Sequence, residues 1–214
     1  MAFTITIFGL IGQSVVNVTE WSKGTNSLDS SGYFTDVATV AAVQAGATHQ
    51  NVEVVVAALA HGTPQLSTET GGYTTIDQDA AGYKKLEVTY TVLSSTSTGP
   101  IDSWSVTNEE YDAVICCYRA NAGVALVQSV TQDTAGGTLV LTIPMPTIGN
   151  MLVVNLVSAA STAAGGAINM ISNYGGQWNQ QGNAIIGSAS IALQQWAIFN
   201  VPAEPAGFQM SSAQ

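Results

Sequence analysis

Within residues 85–93, apolar and polar side chains alternate from Lys85 to Val92, which is the pattern of a β-strand with one buried side and one solvent-facing side. The apolar positions are Leu86, Val88, Tyr90 and Val92. Other short runs of β-branched and aliphatic residues follow along the chain, separated by turn-forming residues roughly every 8 to 12 positions. No stretch has the length and period of a long helix. The sequence therefore predicts an all-β fold, either an antiparallel β-sandwich or a jelly roll.

Two of these runs resemble copies of one strand. Each begins at an Asn and continues through aliphatic residues, over 51–58 in one case and 150–157 in the other. A glycine pair with a nearby aromatic residue follows in both halves, and self-similarity of this kind indicates duplication. We predict two related β-units in tandem, 1–120 and 121–214, either as separate domains or packed as one bilobed domain.

The chain has few charged residues, which make up 8% of it against 46% hydrophobic residues. A typical globular protein has about 25% charged residues, so this surface must consist largely of uncharged polar groups and backbone. Neighbouring subunits can cover such a surface at little desolvation cost. The composition therefore favours a subunit of an assembly over a free enzyme.

The net charge of −10 is unevenly distributed. All four basic residues precede residue 120, and beyond it only Asp133 and Glu204 are charged. A chain this acidic offers no basic patch for a phosphate backbone, so we expect no nucleic-acid partner. The near-neutral C-terminal half is a candidate for burial against partner subunits, and a solvent-facing β-surface is the alternative interpretation.

The cysteines and the N-terminus bear on where the chain is made. Cys116 and Cys117 are adjacent in a strand-like run, so we expect their side chains on opposite faces of a sheet. Without a third cysteine we expect no intrachain disulfide, which suits a reducing cytoplasm. The first residues alternate like a strand and lack a basic segment, so they are interpreted as mature structure and not as a signal peptide. No apolar run reaches the roughly 18 residues of a membrane span.

Candidate catalytic groups are few. His49 and His61 are the only histidines, and neither stands in a recognisable nucleophile motif. The acids Glu109, Glu110 and Asp112 could supply the carboxylate pair of a glycosidase, but a solvated turn between two strands explains them better. We predict no catalytic residues, no metal and no cofactor.

Two features could contact small ligands. Asp77 and Asp79 resemble part of a calcium loop, although the later bidentate acid is missing at the expected spacing, which leaves a loop ion open. Tyr174 and Trp178 flank a glycine pair and are the best candidates for stacking against a glycan or for a subunit contact. An aromatic residue that caps a sandwich core is the alternative interpretation.

The order of features from Tyr33 to Ala120 is characteristic. An Asn-opened apolar strand is followed by a glycine turn at Tyr73, an amphipathic strand ending near Tyr90, a strand with Trp104 and a closing strand ending in Tyr118-Arg119-Ala120. This order resembles the β-sandwich modules of tailed-bacteriophage virion proteins, and residues 138–208 resemble them more weakly. Such modules commonly have Trp where this chain has Tyr73, and the second unit has no counterpart of the Tyr-Arg-Ala ending.

The resemblance implies a non-enzymatic structural component of a virion, such as a head decoration, collar or appendage protein, made in the host cytoplasm. The implied partners are other virion proteins and copies of the chain itself, with a trimer favoured. The main alternative is a receptor- or carbohydrate-binding module of a tail fibre that contacts a host-surface glycan, and a glycan hydrolase is a third. The structural role predicts that Tyr174 and Trp178 are buried or in subunit contacts, whereas the glycan-binding role predicts that they line an open groove.

Overall fold

The described part of the chain is built from β-strands, which confirms the all-β prediction. The structure is a computed structural model, and it describes residues 2–10, 12–22, 28–44, 53–61, 68–70, 73–81, 84–93, 101–120, 123–159, 169–172, 178–186, 191–203 and 210–212. Within these ranges there are fifteen strands and no helix, and hence no helix long and apolar enough to cross a membrane. In chain order the strands are β1 (Ala2–Leu10), β2 (Ser14–Trp21), β3 (Leu28–Gln44), β4 (Glu53–His61), β5 (Thr68–Thr70), β6 (Thr74–Ala81), β7 (Lys84–Leu93), β8 (Ile101–Arg119), β9 (Leu126–Thr134), β10 (Gly137–Pro144), β11 (Met151–Ala159), β12 (Asn169–Ser172), β13 (Asn179–Ile186), β14 (Ile191–Ile198) and β15 (Met210–Ser212).

The described strands form three antiparallel sheets. Sheet A has the strand order β10-β1-β12-β15, and sheet B has the order β13-β14-β11-β2-β9. Sheet C has the order β3-β8-β4-β7-β6, with β5 paired to β8. All pairings between these strands are antiparallel.

Sheet B is the middle layer of the stack, because its central strands are buried on both faces. All eight residues of β2 are buried, and so are residues 151–158 of β11. Strands that are covered on both sides usually have nearly continuous apolar sequences. This accounts for the valine-rich sequences of β2 and β11. Even-numbered residues such as Val16 and Val154 contact sheet A, and odd-numbered residues such as Val15 and Val153 contact sheet C.

A first hydrophobic core lies between sheets A and B. Sheet A turns one side toward it, because β1 and β10 alternate buried apolar residues with more exposed, mostly threonine and valine positions. The residues that sheet A contributes to this core are Phe3, Ile5, Ile7, Leu10, Leu139, Leu141, Ile143 and Met170. Sheet B contributes Val16, Val18, Leu152, Val154, Leu156, Trp196 and Ile198.

A second hydrophobic core lies between sheets B and C. From sheet C it receives Val54, Val56, Ala58, Leu86, Val88, Val114, Cys116 and Tyr118. Across the interface the ring of Trp21 meets Tyr90 edge-on, with the ring centroids 5.0 Å apart and the planes at 66°. Edge-to-face contacts of this kind stabilise aromatic pairs beyond the burial of their area. The molecule is thus a stack of three sheets around two cores.

The strand predicted at residues 85–93 is present as part of β7, but its second face differs from the prediction. Leu86 and Val88 pack in the second core, as expected. Glu87 and Thr89 were expected on a solvent-facing side, yet they are also buried. That expectation was wrong because alternation reports polarity, and a polar side of a sheet can still be covered by other parts of the chain.

The sheets combine strands from both predicted units. Sheet C consists of residues between 28 and 119, whereas β1 and β2 of the first range pair with strands of the second range in sheets A and B. The strands expected at 51–58 and 150–157 correspond to β4 and β11, each inside a sheet. The relation between units 1–120 and 121–214 stays a prediction.

Two turns that pass from one sheet to another touch each other at glycines. Gly12 lies between β1 and β2, and Gly136 lies between β9 and β10. Gly136 has a φ of +118°, and a Cβ placed on it would lie 2.9 Å from both the nitrogen and the oxygen of Gly12. This close approach of two backbones requires glycine at position 136.

We expect Gly136→Ala to destabilise the fold more than Gly137→Ala. Both glycines have positive φ, so both variants carry backbone strain of about 1–3 kcal/mol. A Cβ at Gly137 meets no atom within 4 Å, whereas one at Gly136 clashes with backbone. Urea unfolding of the two variants measures the difference. Equal free energies of unfolding would contradict the close contact with Gly12.

Candidate functional site

Trp178, one of the two aromatic residues predicted to contact a glycan or a subunit, is buried and offers no exposed ring face. This residue is 2% exposed and belongs to the first core, together with Trp196. A buried indole offers no face for a sugar ring to stack on, so Trp178 matches the interpretation of an aromatic residue that fills the core. Tyr174 lies outside the described residues, and a contact made by it stays a prediction.

The acidic residues weighed as a glycosidase pair lie within one continuous strand. Glu109, Glu110 and Asp112 belong to β8, which pairs with β3 along most of its length. The prediction of a turn between two shorter strands was therefore wrong. Pairing with a long neighbouring strand overrides the preference of clustered acids for turns.

The residues weighed as a calcium loop also lie in a strand. Asp77 and Asp79 belong to β6 and are the register partners of Val88 and Leu86. The expected loop at these residues is thus not a loop. Across the described ranges, no group of three or more His, Cys, Asp or Glu side chains could hold a metal ion.

Both cysteines and one of the two histidines lie in strands of sheet C. His61 is the last residue of β4, and His49 lies outside the described residues. Cys116 and Cys117 are both buried and free of disulfides. Burial raises the pKa of the Cys116 thiol, although a hydrogen bond with Tyr118 opposes the shift. Burial likewise raises the pKa of the Tyr118 hydroxyl. A thiol kept protonated in this way is a poor nucleophile.

The raised pKa values predict a loss of stability in alkaline solution. The folded chain keeps Cys116 and Tyr118 protonated, whereas the unfolded chain releases their protons above about pH 8.5 and 10. Because the unfolded state then binds fewer protons, the free energy of unfolding should fall by about 1.4 kcal/mol per pH unit for each group. Urea unfolding between pH 7 and 10.5 measures this slope. Cys116→Ala should flatten it between pH 8.5 and 10, and an unchanged slope would contradict the assignment.

Sheet B contains a buried row of amide side chains that faces sheet C. Asn17, Asn155 and Gln195 occupy neighbouring register positions on β2, β11 and β14. The Nδ2 of Asn155 donates to Oδ1 of Asn17 at 3.3 Å, and the Nε2 of Gln195 donates to Oδ1 of Asn155 at 2.6 Å. At the other end, Nδ2 of Asn17 donates to the hydroxyls of Ser129 at 2.9 Å and Thr131 at 3.0 Å. We name Asn17, Asn155 and Gln195 the amide ladder.

The amide ladder also connects sheet B to sheet C. The hydroxyl of Tyr118 donates to Oε1 of Gln195 at 3.1 Å, and Nε2 of Gln195 donates to the carbonyl of Val56 at 3.4 Å. The three amides and Tyr118 are each 0% exposed. A buried polar network that is well paired fixes one register and one packing, because any slip leaves donors unpaired in an apolar interior. The amide ladder therefore stabilises one arrangement of sheets B and C. Its neutral amides cannot act as a general acid or base.

The sequence interpretation missed the ladder, although its components leave a signal. Asn17 and Asn155 each interrupt a run of aliphatic residues in a strand that is buried on both faces. An Asn at the centre of such a strand needs a polar partner. The signal marks the position, but the partner of Asn17 is 138 residues away along the chain.

A buried carboxylate organises the loop between β10 and β11. Glu20 is 1% exposed and accepts hydrogen bonds from the backbone N–H of Thr147 at 2.8 Å and from the side-chain amides of Asn150 and Gln128. Charge-assisted bonds of this kind are stronger than neutral ones. We name Glu20, Gln128, Thr147 and Asn150 the Glu20 clasp.

The Glu20 clasp holds a tight turn with an exposed tip. The N–H of Asn150 donates to the carbonyl of Thr147 at 3.1 Å. Between them, Gly149 is the third residue of the turn and has a φ of +84°, which is typical of a type II turn. Val201 closes the turn from outside by accepting from Gly149 N–H and donating to the Asn150 carbonyl. Ile148 stands at the tip with 63% of its surface exposed. The turn presents a large apolar side chain to solvent on a fixed backbone.

Charge is distributed very differently across the three sheets. The strands of sheet A contain no Asp, Glu, Lys or Arg. The strands of sheet C contain eleven of the 14 acidic residues, namely Asp29, Asp36, Glu53, Glu69, Asp77, Asp79, Glu87, Asp102, Glu109, Glu110 and Asp112. They contain only three basic residues, Lys84, Lys85 and Arg119. The molecule therefore has an acidic layer on one side and a neutral layer on the other.

Sheet A and the turn that follows it expose large apolar side chains. Phe8 and Val140 are exposed on the two neighbouring strands β1 and β10 of sheet A, and Ile148 is exposed in the turn that follows β10. A neutral surface with several exposed apolar residues is typical of an interaction site.

No protein-family model, no curated protein and no solved structure matches the chain.

Proposed function

We propose that this chain is a non-enzymatic structural subunit of a bacteriophage virion, such as a head decoration, collar or appendage protein. In this role it associates with copies of itself and with other virion proteins after synthesis in the host cytoplasm. The observation that carries the proposal is the neutral layer, sheet A with the adjacent turn, which exposes Val140 and Ile148 while the acidic residues are concentrated in sheet C. The sequence resemblance to virion β-sandwich modules gives the proposal its biological setting.

The physical properties of the chain support a role in an assembly. Covering sheet A costs little desolvation free energy, because its strands carry no charge that must lose water. The amide ladder and the Glu20 clasp fix the positions of strands and of the exposed turn before any partner arrives. A rigid surface loses less conformational entropy on association than a flexible one.

Re-attachment to particles tests the proposal. Purified chain is added to phage particles that lack it, and pelleted particles are assayed for the bound protein. We expect saturable binding with a fixed number of copies per particle. A control preparation of host-surface polysaccharide should bind none. Binding to polysaccharide but not to particles would overturn the proposal in favour of the receptor- or carbohydrate-binding alternative.

A further inference from the structure

In the part of the chain that the structure describes, β10 is an edge strand of sheet A. Among the described strands, β10 pairs with β1 alone, so the main-chain N–H and C=O groups along its other side have no strand partner. Proteins usually protect such edges with charged residues, prolines or bulges. From Gly137 to Ile143 this strand contains no charge and no proline, and Pro144 stands only at its end.

The side chains of β10 are arranged for a continued sheet. Leu139, Leu141 and Ile143 are buried in the first core, whereas Thr138, Val140 and Thr142 are exposed on the outer face. β-branched and aliphatic residues at these positions are favourable strand formers. Val140 is 53% exposed at the middle of the strand.

We infer that β10 pairs antiparallel with β10 of a second copy of this chain, with Val140 opposite Val140 on a two-fold axis. This register places Thr138 opposite Thr142 of the second copy and Leu139 opposite Leu141 of the second copy. Every pair then joins residues of the same face, so the outer face and the first core both continue across the junction. Pro144 falls outside the ladder, where its missing N–H does no harm.

The charge distribution selects a second copy as the occupant. The chain is acidic overall, so two copies repel each other wherever their acidic residues approach. Contact through β10 brings neutral strands together and keeps the two copies of sheet C, with their eleven acids, apart. Two-fold symmetry makes such a contact self-complementary, because each strand supplies the same groups to the other.

A second edge strand enlarges the contact. β9 is the edge strand of sheet B, and it touches β10 and leads into it through the turn at Gly136. β9 exposes Val127, and it also carries the exposed Asp133. Pairing at this edge therefore brings two sheets of each copy into contact. The second sheet increases the buried surface area toward the roughly 1,200 Å² or more that specific interfaces bury.

The inference rests on the self-association in the proposed function and specifies its geometry. A two-fold junction builds dimers or assemblies of dimers, in place of the trimer expected from the sequence. Self-association through another surface would leave the proposed function intact and remove only this junction.

A disulfide test examines the register directly. Residues directly opposite in an antiparallel pair have Cβ atoms about 4.5–5.5 Å apart, so Val140→Cys should form a disulfide-linked dimer on mild oxidation. Thr142→Cys is the matched control, because in this register it lies about 13 Å from its own copy. The native Cys116 and Cys117 are buried and should not interfere. We expect cross-linking of Val140→Cys and little of Thr142→Cys, read as dimer on a non-reducing gel.

A second test places charges at the junction and needs no covalent cross-link. Val140→Lys places two like charges opposite each other and should weaken dimerisation by about tenfold or more. Val92→Lys makes the same change at a valine of sheet C that is 39% exposed, and it should leave dimerisation unchanged. If the wild-type protein is oligomeric but Val140→Cys does not cross-link, the junction alone is overturned. If the wild-type protein is a monomer, both the junction and the proposed self-association are overturned. Equal cross-linking of the two cysteine variants, or equal effects of the two lysine variants, also overturns the junction.

Discussion

Asn155→Leu should lower the free energy of unfolding by about 2–4 kcal/mol, although it replaces a polar residue in a core with an apolar one. The loss is expected because Asn155 is the middle of the amide ladder, bonded to both Asn17 and Gln195. Removing it leaves the Oδ1 of Asn17 and part of the Nε2 capacity of Gln195 without partners in an interior that water does not reach. Urea unfolding monitored by tryptophan fluorescence gives the value.

A double-mutant cycle separates the ladder from ordinary packing. Asn155→Leu and Gln195→Leu are measured alone and together, and we expect a coupling energy of about 1 kcal/mol or more. The matched control is the cycle of Asn155→Leu with Val154→Ala, because Val154 is a chain neighbour that faces the first core. Additive losses in the first cycle would contradict a functioning ladder.

Glu20→Ala should have the largest effect of any single substitution considered for this chain, about 3 kcal/mol or more. The substitution leaves the Thr147 N–H and the amides of Asn150 and Gln128 without the carboxylate that binds them. Hydrogen bonds to a charged group are each worth more than neutral ones. Chemical denaturation measures the loss of stability.

Hydrogen exchange distinguishes the loss of the Glu20 clasp from a general loss of stability. In Glu20→Gln, which keeps the shape of the side chain, exchange at the Thr147 amide should accelerate more than exchange at the centre of β11. Ile148→Ala serves as the control, since its exposed side chain should contribute no more than about 0.5 kcal/mol. Uniform acceleration across the chain in Glu20→Gln would contradict a local clasp.

The class of the fold could be predicted from the sequence because alternation is a local property. The run at residues 85–93 indicated a strand, and β7 contains it. The run at 150–157 indicated a core strand, and β11 is buried along 151–158. In each case the decisive information lies within about ten residues.

Pairing between distant strands could not be predicted in the same way. β2 lies beside β11 and β9, more than 100 residues further along the chain, and no local pattern specifies these neighbours. Local preference even misled at Glu109 and Glu110, where clustered acids favoured a turn and pairing with β3 imposed a strand. The Glu20 clasp was missed for the same reason, since its donors come from Thr147, Asn150 and Gln128.

The neutral layer combines what the sequence indicated with what it could not. The scarcity of charge after residue 120 was visible, and it left two interpretations of that half, burial against partner subunits and a solvent-facing β-surface. The contribution of β1 to the same sheet was not visible, because it depends on pairing with β10 and β12. The strand order also identifies β10 as the edge, which turns a statement about composition into a proposed junction.

The mass of the purified chain in solution, measured by multi-angle light scattering over a range of concentrations, tests the central claim of self-association most directly. One chain has a mass of 22.1 kDa. We predict a stable multiple of that mass, an even one if β10 forms the junction, and a return toward the single-chain mass in Val140→Lys. A monomer at every concentration, for the wild-type chain as for the variant, would contradict the account.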